Sequence, residues 1–302
     1  MSNAPWIGVG IEGEWSDPGL ALAASGLDFR VMKQKAYTED GRILPNTAVN
    51  IRESDNAILG VVADKYGLVQ NTDAFAMLEP YLSTGGKITH VGMTQQGMVF
   101  MLAEIDAMNI LGDNYTLYAL GMNSFNARYG CSVLLTCHRI VCQNMFANLI
   151  PQAKKMGTYF FHKSKAEEKV VRAASVSKSI HVFENAFEDK LKLLAASPLT
   201  DTIVNKFLDL VFPMRLDESA PRFAAYKENN EETRAMFLKE YYETPDNANF
   251  VGTNLGLINA YYDYLSHRPE LKTDSKRKWE DARFTGLVSG TSVNTHALNL
   301  LM

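Results

Sequence analysis

The first half of the chain shows the short apolar alternation that is typical of β-strands. Turn residues, such as those at 39–42 and 95–97, separate the apolar segments at the spacing expected of hairpins. The predicted strands cover residues 27–38, 48–52, 58–63, 87–93, 98–105, 115–122 and 131–136. Two helices are predicted in this half, at 18–24 after the N-cap residue Asp17 and at 71–79. The pattern therefore predicts an antiparallel, curved sheet with a few helices.

The second half of the chain has the three- and four-residue apolar spacing of amphipathic helices. The longest predicted helix covers 165–196, with lysines on the surface opposite its apolar face. Further helices are predicted at residues 141–149, 201–211, 231–242, 254–266 and 291–300, with loops at 217–230 and 243–249. The predicted class is α+β, with a sheet-containing region at 1–162 and a helical region at 163–302 packed on it as one unit.

Length and composition are those of a globular protein. A chain of 302 residues that is 46% hydrophobic can bury a substantial core. No run approaches the ~20 apolar residues that span a bilayer, and the start of the chain lacks the basic and apolar regions of a signal peptide. We therefore expect a cytoplasmic protein without a membrane partner.

Positive charge is concentrated in one part of the chain, although the net charge is −4. Residues 1–150 carry nine Lys and Arg against fourteen Asp and Glu. Between 154 and 178 the balance reverses, because seven basic residues face only Glu167 and Glu168. A local basic surface of this kind favours an anionic partner more than the net charge suggests.

Polar residues flank the strand predicted at 131–136. Asn123, Asn126 and Arg128 precede it, and Arg139 and Asn144 follow it. Amide side chains both donate and accept hydrogen bonds, and arginine offers a planar donor fork suited to phosphate or carboxylate. The segment therefore either recognises a polyanion or a nucleobase edge, or it caps turns at the two strand ends. The sequence leaves both interpretations open.

Aromatic residues alternate with cations close to this segment. Tyr129 follows Arg128, and residues 154–165 contain Tyr159, Phe161 and several lysines. Cations neutralise phosphates while aromatic faces stack on bases, which is the usual chemistry of single-strand binding. The alternative is that the rings pack in the core and the lysines are only solvated.

Motifs for cofactors, metals and common catalytic centres are missing. The GxGxxG letters formed by Gly8, Gly10 and Gly13 follow no predicted strand and open no helix, so we expect a flexible N-terminal arm there and no dinucleotide site. The spacing of Cys131, Cys137 and Cys142 fits neither a disulfide framework nor a zinc site. We expect reduced, buried thiols, no metal and no cofactor.

Three segments carry a resemblance to a known family. AILGVVADKYGLVQNTDAF, CHRIVCQNMF and GTNLGLINAYYDYLSH occur in this order, and RIVCQN is the most specific part. In these residues the chain resembles the phage/plasmid-like protein family, a domain of unknown function from bacteriophages and mobile elements. The resemblance covers nearly the whole chain and implies a phage or plasmid setting inside a bacterial host cell. It supplies no catalytic residues.

The leading hypothesis is a nucleic-acid-binding protein that holds or anneals single-stranded DNA in recombination or replication, acting as a homo-oligomer. The predicted phosphate contacts are Arg128, Arg139, Lys154, Lys155, Lys163, Lys165 and Arg172. The predicted stacking residues are Tyr129, Tyr159 and Phe161, and the predicted loop-positioning residues are Asn123, Asn126 and Asn144.

Two other classes remain open from the sequence. The first is an enzyme acting on nucleotides or nucleic acid, with His138, Arg139 and Asn144 in its site and Asp64 or Glu104 assisting. The second is a host-interaction or assembly protein that works by surface contact. A deep pocket would favour the first, and an extensive interface without a groove would favour the second.

Overall fold

The N-terminal half is built from antiparallel strands. A computed structural model of the protein describes residues 9–139, 144–145, 159–160, 162, 179–214, 217–267 and 293–302. The strands are β1 Gly10–Trp15, β2 Val31–Tyr37, β3 Ile43–Arg52, β4 Ile58–Ala63, β5 Lys87–Met93, β6 Met98–Ile110, β7 Asp113–Ser124, β8 Cys131–Arg139, β9 Asn144–Met145 and β10 Tyr159–Phe160.

These strands form two sheets. The larger sheet has the order β1-β5-β6-β7-β8-β10, and β9 also pairs with β8. The smaller sheet has the order β2-β3-β4. Every pairing described in the two sheets is antiparallel. Tight turns join β5 to β6 and β6 to β7, as antiparallel neighbours allow. The predicted antiparallel arrangement is confirmed, but the strands form two sheets where the sequence predicted one.

The rest of the described chain is chiefly helical. The helices are α1 Pro18–Ser25, α2 Asn71–Phe75, α3 Glu79–Leu82, α4 Ser179–Ala196, α5 Asp201–Val211, α6 Phe223–Glu243, α7 Asn254–His267 and α8 Val293–Leu301, with 3-10 turns at Ala76–Leu78 and Pro245–Phe250. The predicted α+β class, with strands first and helices second, is confirmed. No helix in the described ranges is long and apolar enough to cross a membrane.

Local sequence chemistry sets the ends of α1. The Asp17 carboxylate accepts a hydrogen bond from the Leu20 N–H at 3.0 Å, and Pro18 occupies the first helical position. Gly26 ends the helix in the left-handed conformation, with φ of 66°. The sequence predicted all three residues because each acts within one turn of the helix.

Several local predictions were wrong. The N-terminal segment predicted as a flexible arm contains β1, which pairs with β5 at the sheet edge. The helix predicted at 71–79 is divided into α2, a 3-10 turn and α3, and Pro80 is tolerated because it lies in the first turn of α3. Residues 223–230, predicted as a loop, belong to α6.

The helix predicted at 141–149 is wrong at the two positions that the structure describes there. Asn144 and Met145 form β9, which pairs with the end of β8. The remainder of that prediction, and residues 165–178 of the long predicted helix, lie outside the described residues. The described part of the long helix is α4.

One cluster of buried apolar side chains joins the sheet to the helices. On the sheet it contains Met101, Ala119 and Val133, and its helical members include Leu191 and Phe237. An edge-to-face contact between Tyr115 of β7 and Phe187 of α4, with ring centroids 5.5 Å apart, lies at the junction. The large sheet and the helical half therefore share a core.

We predict that Phe187→Ala lowers the free energy of unfolding by about 3 to 5 kcal/mol, because it removes a buried ring from this junction. Denaturant unfolding followed by circular dichroism measures the change. Val182→Ala on the exposed side of α4 is the matched control and should change stability by no more than about 0.5 kcal/mol. Equal effects of the two variants would contradict a shared core at this point.

Candidate nucleic-acid interface

Residues 124–130 form a tight turn between β7 and β8, called here the Arg128 loop. The Ser124 hydroxyl donates to the Tyr129 carbonyl at 2.8 Å and accepts from the Tyr129 N–H at 3.3 Å. The Asn126 carboxamide oxygen accepts from the Arg128 N–H at 3.1 Å, and Ala127 adopts the left-handed conformation with φ of 60°. These bonds close the loop on itself.

A second turn, between β5 and β6, supports the loop from one side. The Asn126 amide donates to the Gln96 carbonyl at 2.6 Å, and the Tyr129 hydroxyl donates to the Gln96 side-chain oxygen at 2.9 Å. Gly97 has a φ of 79°, and a Cβ there would lie 2.9 Å from the Asn126 amide nitrogen. Gln96 is thus a positioning residue that sequence reasoning missed, because the turn at 95–97 was predicted without its partner.

The small sheet supports the base of the loop. Asn50 of β3 donates its amide to the Phe125 carbonyl at 2.7 Å, and the Tyr66 hydroxyl donates to the Ser124 carbonyl at 2.6 Å. Gly60 of β4 has no side chain where the backbone of Asn126 approaches, so the two segments pack directly. Phe125 itself is buried.

Arg128 is exposed at the top of this supported loop. It forms no ion pair with any residue in the described part of the chain. Tyr129 beside it is half-buried, with its hydroxyl held by Gln96. The loop therefore presents one guanidinium to solvent from a fixed backbone, and an arginine in that setting can bind a phosphate without first breaking an internal pair.

Asn123 and Asn126 lie in different environments. Asn126 is in the loop, whereas Asn123 is fully buried at the end of β7. The Asn123 amide donates to the Val69 carbonyl at 3.1 Å and to the Asn71 side-chain oxygen at 3.0 Å, and Asn71 in turn donates to the Leu27 carbonyl at 2.8 Å. Asn123 positions the segment that leads into α2, away from solvent.

The predicted contacts that the structure describes lie near the two opposite ends of strand β8. Tyr159 of β10 pairs with Ser132, next to the Arg128 loop. Arg139 pairs with Asn144 at the far end, eight residues beyond Cys131, which corresponds to about 26 Å of strand. The described residues do not include Lys154, Lys155, Phe161, Lys163, Lys165 and Arg172.

His162 fixes the chain after β10 to the small sheet. Its ring stacks on Tyr66 with centroids 4.7 Å apart, and its Nδ1 donates to the Gly67 carbonyl at 3.1 Å. The Nε2 atom is buried and has no hydrogen-bond partner among the residues that the structure describes. Burial therefore lowers the pKa of His162 to about 4, because a charged ring would lose its hydration there.

The carboxylates named in the enzyme alternative lie in different sheets. Asp64 follows β4 and is exposed, whereas Glu104 is half-buried on β6, in register with Lys87 and Tyr118. Burial, with a smaller contribution from Glu104, raises the pKa of Tyr118 to about 12. Within the described ranges, no three His, Cys, Asp or Glu side chains are placed to hold a metal ion.

Two of the three cysteines are described, and both are free and buried in β8. Burial raises the pKa of Cys131 and of Cys137 well above the ordinary thiol value, so neither is a reactive thiolate. The expectation of reduced, buried thiols is met at these two positions.

Comparison with known proteins gives one match. The model of a family described as a domain of unknown function (DUF932) matches residues 58–285, roughly three quarters of the chain. The match begins at the first residue of β4 and includes the Arg128 loop and β8. No curated protein and no solved structure matches the chain.

We predict a loss of stability on acidification that depends on His162. Its folded pKa of about 4 lies below the ordinary value of 6.5, so its contribution is complete above pH 6.5 and is lost as the pH falls towards 4. The loss amounts to about 3 kcal/mol at low pH. Unfolding free energies of the wild type and of His162→Phe, measured from pH 7 to pH 4, test this.

The phenylalanine variant keeps a ring against Tyr66 but does not titrate, so its stability should fall less over this interval. The matched control is His181→Gln, because it removes an exposed histidine of α4, whose ring bonds to Glu184 one turn away, and leaves the buried one in place. A wild-type curve parallel to that of His162→Phe would remove His162 from the explanation.

We also predict that Asn126→Ala loosens the Arg128 loop. The variant loses the bonds to Gln96 and to the Arg128 N–H, and hydrogen exchange at that amide should become about tenfold faster. Asn109→Ala is the control, because Asn109 makes a single side-chain bond in the β6–β7 turn. Unchanged exchange at Arg128 would show that Asn126 does not hold the loop.

Proposed function

The chain belongs to the DUF932 family, a domain of unknown function, and from that premise we propose that it binds single-stranded nucleic acid without cleaving it. In this proposal it is a DNA-binding protein of a phage or plasmid, working in the cytoplasm of a bacterial host. It holds or anneals single strands during recombination or replication, and several copies act together.

The observation that carries the proposal is the exposed Arg128, which forms no ion pair with the described residues and lies on a loop held by amide side chains. Most exposed cations in the described part of the helical half, such as Lys192 and Lys227, have carboxylates one helical turn away. Arg128 has no such partner among the described residues. An arginine on a fixed loop backbone requires less ordering of the loop when it contacts a phosphate.

The spacing along β8 gives further support. The Arg128 loop and Tyr159 lie at one end of the strand, and Arg139 and Asn144 lie at the other, about 26 Å away. Groups so far apart suit an extended polymer better than one small substrate. A chain of phosphates and bases would contact both ends at once.

Assembly would compensate for the modest positive charge. One copy has 30 Lys and Arg against 34 Asp and Glu, which gives a net charge of −4. Copies bound side by side along a strand would raise the effective concentration of each site for the next segment, so weak individual contacts would give firm binding. This is why the proposal includes an oligomer.

We predict salt-sensitive binding to a single-stranded oligonucleotide that Arg128→Glu weakens by about tenfold. The substitution replaces a phosphate contact with a repulsive charge, and the slope of log affinity against log salt should fall by about 1. Fluorescence anisotropy at several salt concentrations measures both quantities. Arg42→Glu is the control, because Arg42 is exposed at the β2–β3 turn beside Asp40. Equal affinities of wild type and Arg128→Glu would contradict the proposal.

A second variant tests the basic stretch that the sequence analysis identified. Changing Lys154, Lys155, Lys163 and Lys165 together to Glu should weaken binding broadly across oligonucleotide sequences. Changing Lys192, Lys206, Lys227 and Lys239 to Glu alters the net charge equally, within the helices, and should weaken binding much less. Similar losses in both variants would indicate a nonspecific charge effect and remove the basic stretch from the proposal.

A further inference from the structure

The two outer edges of the small sheet are unlike. On β2, the Gln70 side chain forms hydrogen bonds with both backbone groups of Val31. It accepts from the Val31 N–H at 3.0 Å and donates to the Val31 carbonyl at 2.9 Å. The same strand carries Lys35, and lysine is a residue that natural edge strands use against pairing. The β2 edge is therefore blocked.

The β4 edge is open. Its sequence, ILGVVA, contains no charge and no proline, and β4 forms ladder bonds to β3 alone within the described part of the chain. At the end of this edge the Ala63 carbonyl accepts from the Tyr66 N–H at 2.9 Å, and the preceding residues offer N–H and C=O groups to another strand. Proteins normally protect such an edge or use it.

The outer face of the small sheet is uncharged as well. Two cross-strand rows lie on it, Gln34–Val49–Val61 and Met32–Ile51–Ile58. Ile58 is 69% exposed and Val61 is 64% exposed, although both are in a strand. The opposite face, with Ala48 and Val62, is buried. Contiguous apolar exposure beside an open edge marks a protein contact.

The lack of charge selects the partner. Nucleic acid needs cations, which the outer rows do not supply, and a charged protein would find no complementary charge there. A second copy of the chain brings another uncharged β4 edge, with no charges to repel and with backbone groups that match in antiparallel orientation. An isologous contact of this kind closes on itself as a two-fold dimer.

We propose that β4 pairs with β4 of a second copy, antiparallel about a two-fold axis, so that the two small sheets become one continuous sheet. The pairing brings the Ile58 and Val61 side chains beside their equivalents on the same face of the joined sheet. A strand of this length spans about 20 Å, which is a small contact beside the ~800 Å² per partner of stable complexes. The dimer should therefore dissociate on dilution.

The geometry also connects the dimer to the proposed binding surface. The buried face of β4 packs on Asn126 at the base of the Arg128 loop, through Gly60. A two-fold axis perpendicular to the joined sheet keeps both buried faces on one side, so two Arg128 loops would lie on that side. The role of the dimer in nucleic-acid binding rests on the proposed function, whereas the dimer itself does not.

The mass of the nucleic-acid-free protein tests the inference. Sedimentation equilibrium over a range of concentrations should show a monomer–dimer equilibrium for the wild type, and Val61→Glu should weaken it at least tenfold. Val182→Glu is the matched control, since Val182 is 68% exposed on α4, and its dimer should be unchanged. Circular dichroism checks each fold, and Ile58→Lys serves as the second variant if Val61→Glu unfolds.

Three results would overturn the inference: a wild type that stays monomeric at every concentration, a Val61→Glu variant that dimerises like the wild type, and an equal loss in Val182→Glu. Oligonucleotide binding is measured separately. A dimer lost in Val61→Glu without any DNA binding would leave the interface standing and remove the proposed function. DNA binding by a protein that never dimerises would leave the proposed function standing and remove the interface.

Discussion

The antiparallel ladder of β6, β7 and β8 is the constraint on which the rest of the structure depends. Residues 98–103 and 131–137 are buried on both faces of the sheet, so their backbone groups have no water and must bond to each other. That requirement fixes the register of the three strands. The Arg128 loop, β10 and β9 are attached to the ends of this ladder, and their places follow from it.

Buried amides transmit the order of the ladder to the surface. The buried amides of Asn50 and Asn123 donate to the carbonyls of Phe125 and Val69, and each bond replaces water that the position excludes. Nearer the surface, the Asn126 amide donates to the Gln96 carbonyl. The backbone of the exposed Arg128 is therefore held in place by side chains of other residues. Such preorganisation would favour the proposed binding, because ordering a flexible loop would otherwise cost part of the binding free energy.

The two sheets have different roles in this picture. The large sheet forms the core with the helices and separates the predicted contacts along β8. The small sheet supports the loop with its buried face and leaves β4 and the outer rows uncovered. The surfaces proposed for binding and for assembly are therefore neighbours, on either side of the Gly60–Asn126 contact.

The sequence by itself determined the features that depend on neighbours a few residues away. The Asp17 cap, the hairpin turns, the helices α5 and α7 and the α+β order of the chain all follow from local periodicity and turn chemistry. It also identified Arg128 and Asn126 as residues of interest, because a polar cluster beside an apolar strand is visible in one dimension.

Only the tertiary structure decided the remainder, because the deciding partners are distant in the chain. Segment 10–15 is a strand because it pairs with β5. The polar start of α6 is helical because it continues directly into the part of the helix that buries Phe237. Gln96 meets Tyr129 across 33 residues, and His162 meets Gly67 across 95. No local pattern encodes such pairings, since they arise only when folding brings the two segments together.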